Sequence, residues 1–211
     1  MWRVLILALM TGVMAGGITD SARAQTTQPA PKAAAKPAAA PAKTAAKPES
    51  KPATAAAAVA GGAEPTLIGQ FGTWGAYAAT PNGKKVCFAL AKPASSKTNP
   101  PNRPRDPAYA FVSTRPAEKV NNEVSVMIGY ALKPGSESTV EVGGASFAMY
   151  TQGDGLWIKN AAEEERMVEA MRKSADLVVK GVSAKGTETT DTFSLKGLAQ
   201  ALDKIAQDCR R

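Results

Sequence analysis

Three groups of residues in this 211-residue chain have types and spacing that could do chemistry: two cysteines, a run of glutamates, and two arginines in a proline-rich stretch. Cys87 and Cys209 can form a disulfide, stay as two thiols, or ligate a soft metal. The metal is the weakest of these because the chain contains no histidine to complete such a site. The same absence removes Ser-His-Asp and Cys-His nucleophile activation and imidazole acid–base catalysis. No motif sets a serine beside a lysine in their place. Glu163, Glu164 and Glu165, with Glu169, have the composition of an acid–base group. They fall, however, in and after the first turn of a predicted helix, where the macrodipole favours them as solvated charges. Asp154, between Gly153 and Gly155, is one carboxylate where calcium takes several oxygens. Gly143-Gly144 lacks the strand–loop–helix spacing of a phosphate cradle. What remains is Arg103 and Arg105, with Asp106, in a loop suited to recognising an anionic partner. No catalytic residue, cofactor or metal is expected, and the chain reads as a non-enzyme.

The compartment decides what the cysteines mean. Met1-Trp2-Arg3 is a short basic start, Val4 to Ala15 is almost wholly apolar, and Ala22-Arg23-Ala24 is a small-x-small cleavage signature. Residues 1–24 are therefore expected to be a signal peptide cleaved after Ala24, which sends the chain to the periplasm or cell envelope with no transmembrane segment in the mature protein. In an oxidising compartment two thiols in one chain usually pair, so a Cys87–Cys209 disulfide is the leading reading.

The elements that position these residues begin late. Residues 25–64 are nearly all Ala, Pro, Lys, Thr and Gly and are expected to be a disordered linker. Lys32, Lys36, Lys43, Lys47 and Lys51 spread charge along it and could touch an anionic envelope polymer or lipid head groups. The linker and the leader together carry half of the net charge of +8, so the domain, residues 65–211, is only mildly basic. That and export argue against nucleic acid. Trp74, Tyr77, Tyr109 and Trp157 are then core aromatics rather than base-stacking platforms.

Within the domain, Phe71–Ala79 and Lys85–Ala91 read as strands flanking a Pro81-Asn82-Gly83 turn, with Val86, Phe88 and Leu90 on one face and Cys87 and Ala89 on the other. Residues 93–107 form a long loop whose prolines forbid a central strand. Further strands are predicted at 109–114, 123–131, 138–142, 145–151, 156–158, 177–182 and 187–193, with Gly143-Gly144 as a two-residue hairpin turn. Asn160, with Glu163 three residues on, predicts a capped internal helix. Ser194 is expected to cap a closing helix whose Leu195, Leu198, Leu202, Ile205 and Cys209 share one stripe. Six to nine short strands and two helices predict a mainly β, antiparallel sandwich with an internal and a C-terminal helix.

Several of these pieces carry a resemblance. Arg105-Asp106-Pro107, Arg115-Pro116, Asn122-Glu123-Val124-Ser125, Gly129-Tyr130, Trp157, Val179-Lys180-Gly181 and Lys185-Gly186-Thr187 stand in order after Cys87. The chain then ends with Thr190-Asp191-Thr192-Phe193-Ser194-Leu195-Lys196-Gly197-Leu198 and Cys209. Residues 74–209 thus resemble the invasion-associated locus B family of exported alphaproteobacterial proteins. The resemblance implies an immunoglobulin-like β-sandwich, an envelope location and no established enzymatic activity. The leading expectation is a non-catalytic envelope binding or interaction module, with host-cell interaction or invasion as a possible setting that the family name alone does not carry over. The alternative is a periplasmic stress factor of chaperone or inhibitor type.

Overall fold

Alternation of apolar and polar residues sets which side of each strand turns inward, and the computed structural model follows it through most of the chain. The structure describes Ala56 and residues 60–210. The leader and the linker lysines lie outside the described residues. Eleven strands run in chain order: β1 (Thr66–Phe71), β2 (Trp74–Ala79), β3 (Val86–Ala91), β4 (Ser95–Asn99), β5 (Tyr109–Arg115), β6 (Val120–Met127), β7 (Glu137–Val142), β8 (Ala145–Gln152), β9 (Gly155–Ile158), β10 (Asp176–Val182) and β11 (Glu188–Ser194). Helix α1 (Ala161–Lys173) joins β9 to β10, and α2 (Leu198–Cys209) closes the chain.

All pairings are antiparallel, in the order β1-β2-β3-β5-β6-β9-β8-β7-β10-β11-β4. The layers of the sandwich are therefore the two halves of one continuous sheet. Its halves share a single apolar cluster that includes Trp74, Ala89, Val126, Phe147, Leu177 and Phe193. The halves are also tied directly, because Trp74 Nε1 on β2 donates to the Ser194 carbonyl at the end of β11, at 2.9 Å. The Gly143-Gly144 hairpin is present, with Val142 opposite Ala145 and both glycines at positive φ (56° and 81°), as a tight primed turn requires.

Three local features differ from expectation. β1 was not legible as a separate strand, because Gly69 and Gly72 interrupt its pattern. β4 lies inside the predicted 93–107 loop, but as an edge strand on β11, a place that the prolines on either side tolerate. Ser194 ends β11 and does not cap α2. The N-cap is Gly197, at φ 95°, where a Cβ would sit 1.9 Å from the Phe71 carbonyl oxygen. The close crossing of β1's end over this turn selects glycine there and delays the helix by three residues. Asn160 does cap α1, its Oδ1 accepting from the Glu163 N–H at 2.9 Å. Glu163 completes no reciprocal box and instead accepts from Arg166.

Candidate functional site

The predicted apolar stripe of α2 is buried along its length. Leu198, Leu202 and Ile205 are fully covered against the inner face of β2 and β3, and Cys209 follows at the last turn. Cys87 sits on that same inner face, so the helix delivers one sulfur to the other. Cys87 and Cys209 are bonded, with Cα atoms 5.9 Å apart and 122 positions between them. The opposite charges of Lys85 and Asp208 flank the bond at 3.2 Å. This cluster closes the fold and offers no reactive group.

The loop after β4 behaves differently from a uniform binding surface. Arg105 turns inward. Its Nη1 donates to Asp191 Oδ2 at 2.8 Å and to the Ile128 carbonyl at 2.8 Å, and its Nη2 donates to Asp191 Oδ1. Asp191, on β11, is completely buried, and the Arg105 side chain keeps one tenth of its surface. The guanidinium also lies 6.0 Å from the centre of the Tyr130 ring. A bidentate pair of this kind uses the planar fork of arginine, so Arg105 is a structural cation rather than an available one. Asp106 is held by its backbone, whose N–H donates to Gly129 O at 3.0 Å. Gly129 has φ 79°, and a Cβ there would fall 2.0 Å from the Asp106 carbonyl oxygen. Only glycine lets the loop lie this close to the end of β6. Of the loop's two arginines, Arg105 is thus held inside the fold while Arg103 stays exposed, and Asp106 is exposed beside them.

Arg103 is exposed, and its backbone N–H is fixed by Thr98 Oγ1 at 3.1 Å. It lines a cleft of about 510 Å³ together with Lys185, Tyr130, Thr98, Thr187 and Thr189. The far wall is the β10–β11 turn, which is internally braced: Ser183 N–H donates to Thr187 O at 2.8 Å, and Thr187 N–H to Ser183 Oγ at 2.9 Å. Ala184 N–H reaches Ala131 O at 2.9 Å, tying that turn to the floor. On the floor, the Tyr130 and Thr189 hydroxyls are 2.7 Å apart. Burial pushes the Tyr130 phenol up, against the opposing effect of the Thr189 hydrogen bond, so it stays a neutral hydroxyl. Neither the Arg103 nor the Lys185 side chain meets an acidic partner among the described residues. With Asp191 neutralised by Arg105, the cations that line the cleft outside any ion pair are Arg103 and Lys185, on a braced, hydroxyl-lined frame.

Sequence reasoning missed Asp191 and Lys185. Asp191 had a signal, because Thr189, Asp191 and Phe193 alternate onto the buried face of β11. A carboxylate with inward parity requires a cation. Lys185 had no signal beyond its place in a turn. Among the described residues there is no cluster of three His, Cys, Asp or Glu able to hold a metal. No described helix is long and apolar enough to cross a membrane.

Comparison with known proteins bears on the whole domain. The model of the invasion associated locus B protein family matches residues 74–206. The crystal structure of invasion associated protein B from Bartonella henselae is similar in fold, with a TM-score of 0.50 at 16% sequence identity. That likeness covers 69% of this chain and 98% of that one. No curated protein sequence matches the chain. Since the family match runs from the strand that opens with Trp74 into the helix that ends in Cys209, well over half of the sequence, the chain belongs to the invasion associated locus B family.

Proposed function

We propose that this protein is an exported, non-catalytic cell-envelope module that binds an anionic partner in the cleft between the Arg103 loop and the β10–β11 turn. The observation that carries this reading is that Arg103 and Lys185 line a braced cleft of about 510 Å³ with neither side chain in an ion pair among the described residues. The partner's anionic group would be met by the two cations and oriented by the hydroxyls of Thr98, Thr187 and Thr189. Arg105 contributes by holding the loop in place through Asp191. The linker lysines add diffuse attraction to an anionic envelope polymer or lipid surface, and family membership supports an envelope setting.

The test is binding of the mature chain to soluble polyphosphate and to phosphatidylglycerol vesicles across a salt series. Reversing both exposed charges, Arg103→Glu with Lys185→Glu, should weaken polyphosphate binding by about tenfold or more, equivalent to about 1.4 kcal/mol. Deleting residues 25–51 should weaken vesicle binding while leaving polyphosphate affinity within about twofold, because contacts far from one another contribute independently. Unchanged polyphosphate binding in the charge-reversed protein would remove the cleft from the mechanism.

A further inference from the structure

The first half of the sheet has a second apolar face, turned away from α2. Val86, Phe88 and Leu90 alternate onto it from β3, and Tyr109 and Phe111 from β5, with Tyr77 and Ala79 from β2. The rings form a connected series: Tyr77 stacks on Phe88 at 5.4 Å and 12°, and Phe111 lies 6.3 Å from both Phe88 and Tyr109. An exposed aromatic surface of this extent would be an association site. Yet Phe88 and Phe111 are completely buried.

The cover comes from upstream of β1, from residues that the sequence assigned to the linker. Ala56 and Ala60 are completely buried within this aromatic cluster, and Ala63 packs against it. Positions 56, 60 and 63 fall on one helical stripe. The Ala60 N–H donates to the Ala56 carbonyl at 3.0 Å, four residues back, and the Ala63 N–H to Ala60 O at 3.3 Å. Gly61 and Gly62 follow at φ 62° and 82°, left-handed positions of the kind that end a helical turn. Gly61 lies against the β2–β3 connection, where a Cβ would be 3.6 Å from Pro81 Cβ.

We propose that this aromatic face is a docking surface for small side chains from upstream of β1, and that Ala56, Ala60 and Ala63 form its resident strap. Alanine fits because a methyl side chain lets a backbone turn lie close over flat rings, where a longer side chain would hold it off. The resident is this chain's own because Glu64 and Pro65 lead directly into β1, already paired to β2 beside the face. That short tether gives the strap a high effective concentration over the rings. No charged residue falls between Lys51 and Glu64, so nothing in the stretch opposes docking on an apolar surface.

The experiment compares three proteins: the mature chain, a chain starting at Glu64, and the mature chain with Ala56→Asp and Ala60→Asp. Readouts are binding of an apolar-surface dye, mass by light scattering, and exchange of the Ala60 amide in the unmutated protein. Both altered proteins should bind several-fold more dye. The shortened chain should also self-associate, and a synthetic peptide of residues 52–63 should reverse both effects. The Ala60 amide should exchange measurably more slowly than an unstructured alanine. The amide measurement needs no variant, so a shortened chain that folds poorly does not spare the proposal. An Ala60 amide exchanging at the unstructured rate, or altered proteins that bind dye no better than the mature chain and stay monomeric, would overturn it.

Discussion

Replacing Arg105 by leucine isolates the contribution of the buried ion pair that holds the cleft loop. Asp191 is completely buried and receives both of its guanidinium hydrogen bonds from Arg105. Removing the cation leaves a carboxylate that water does not reach, a change that costs about 3–5 kcal/mol in comparable buried pairs. The Ile128 carbonyl also loses its 2.8 Å donor, which places the loss toward the upper end of that range. For a domain of this size each kcal/mol lowers Tm by about 2–4 °C, so the single variant should melt about 6–20 °C lower. The double variant Arg105→Leu, Asp191→Leu removes both charges together and should recover a large part of the loss, because two apolar side chains replace the pair. Thermal and guanidinium unfolding at neutral pH, with the disulfide confirmed intact, measure all three free energies. Single-variant losses that simply add in the double variant would show that the two side chains are not coupled. A loss below about 1 kcal/mol for Arg105→Leu would place its guanidinium among solvent-exposed pairs, contrary to the geometry.

Two further outcomes follow from the fold. Reducing the Cys87–Cys209 bond releases a loop of 122 positions, for which chain entropy allows a loss of up to about 5 kcal/mol; guanidinium midpoints of oxidised and reduced protein measure it, and equal midpoints would contradict the closing role of the bond. Glu164 is half-buried, and burial pushes its carboxyl above the ordinary range, although Oε1 accepts from the Val124 N–H at 2.7 Å and thereby favours the charged form. A raised folded pKa means that the native state holds this proton more tightly, so the contribution to stability is full below the unfolded value and is lost as pH rises through the folded one. Glu164→Gln should therefore raise Tm relative to the unmutated protein more at about pH 7 than at about pH 4, and the reverse order would refute the sign.

The parts of this molecule that were legible beforehand are those governed by neighbours in the chain. The Gly143-Gly144 turn, the Asn160 cap and the inward stripe of α2 each follow from residues at most four positions apart, where backbone geometry leaves few alternatives. The misreadings share the opposite origin. Ser194 lost its capping place because the backbone of Phe71 crosses above Gly197, a meeting of segments more than a hundred positions apart. β4 became a strand because β11 offered an unpaired edge. The stretch carrying Ala56 and Ala60 has the composition of a linker. Both alanines are nevertheless buried, because a distant aromatic face lies against them.

By itself the sequence determined the lack of histidine chemistry, the half-buried character of most strands and the inward direction of Cys209. It also placed a cationic loop after Cys87. Only the tertiary structure decided which of that loop's cations is available. Arg103 and Arg105 are two positions apart in the same basic stretch, and nothing local separates them. One meets a carboxylate delivered by β11 and is taken out of solvent, while the other faces a cleft whose second cation comes from the β10–β11 turn. Charge is a property of the residue, but its availability depends on what the fold brings within a few ångströms, and those neighbours come from across the chain.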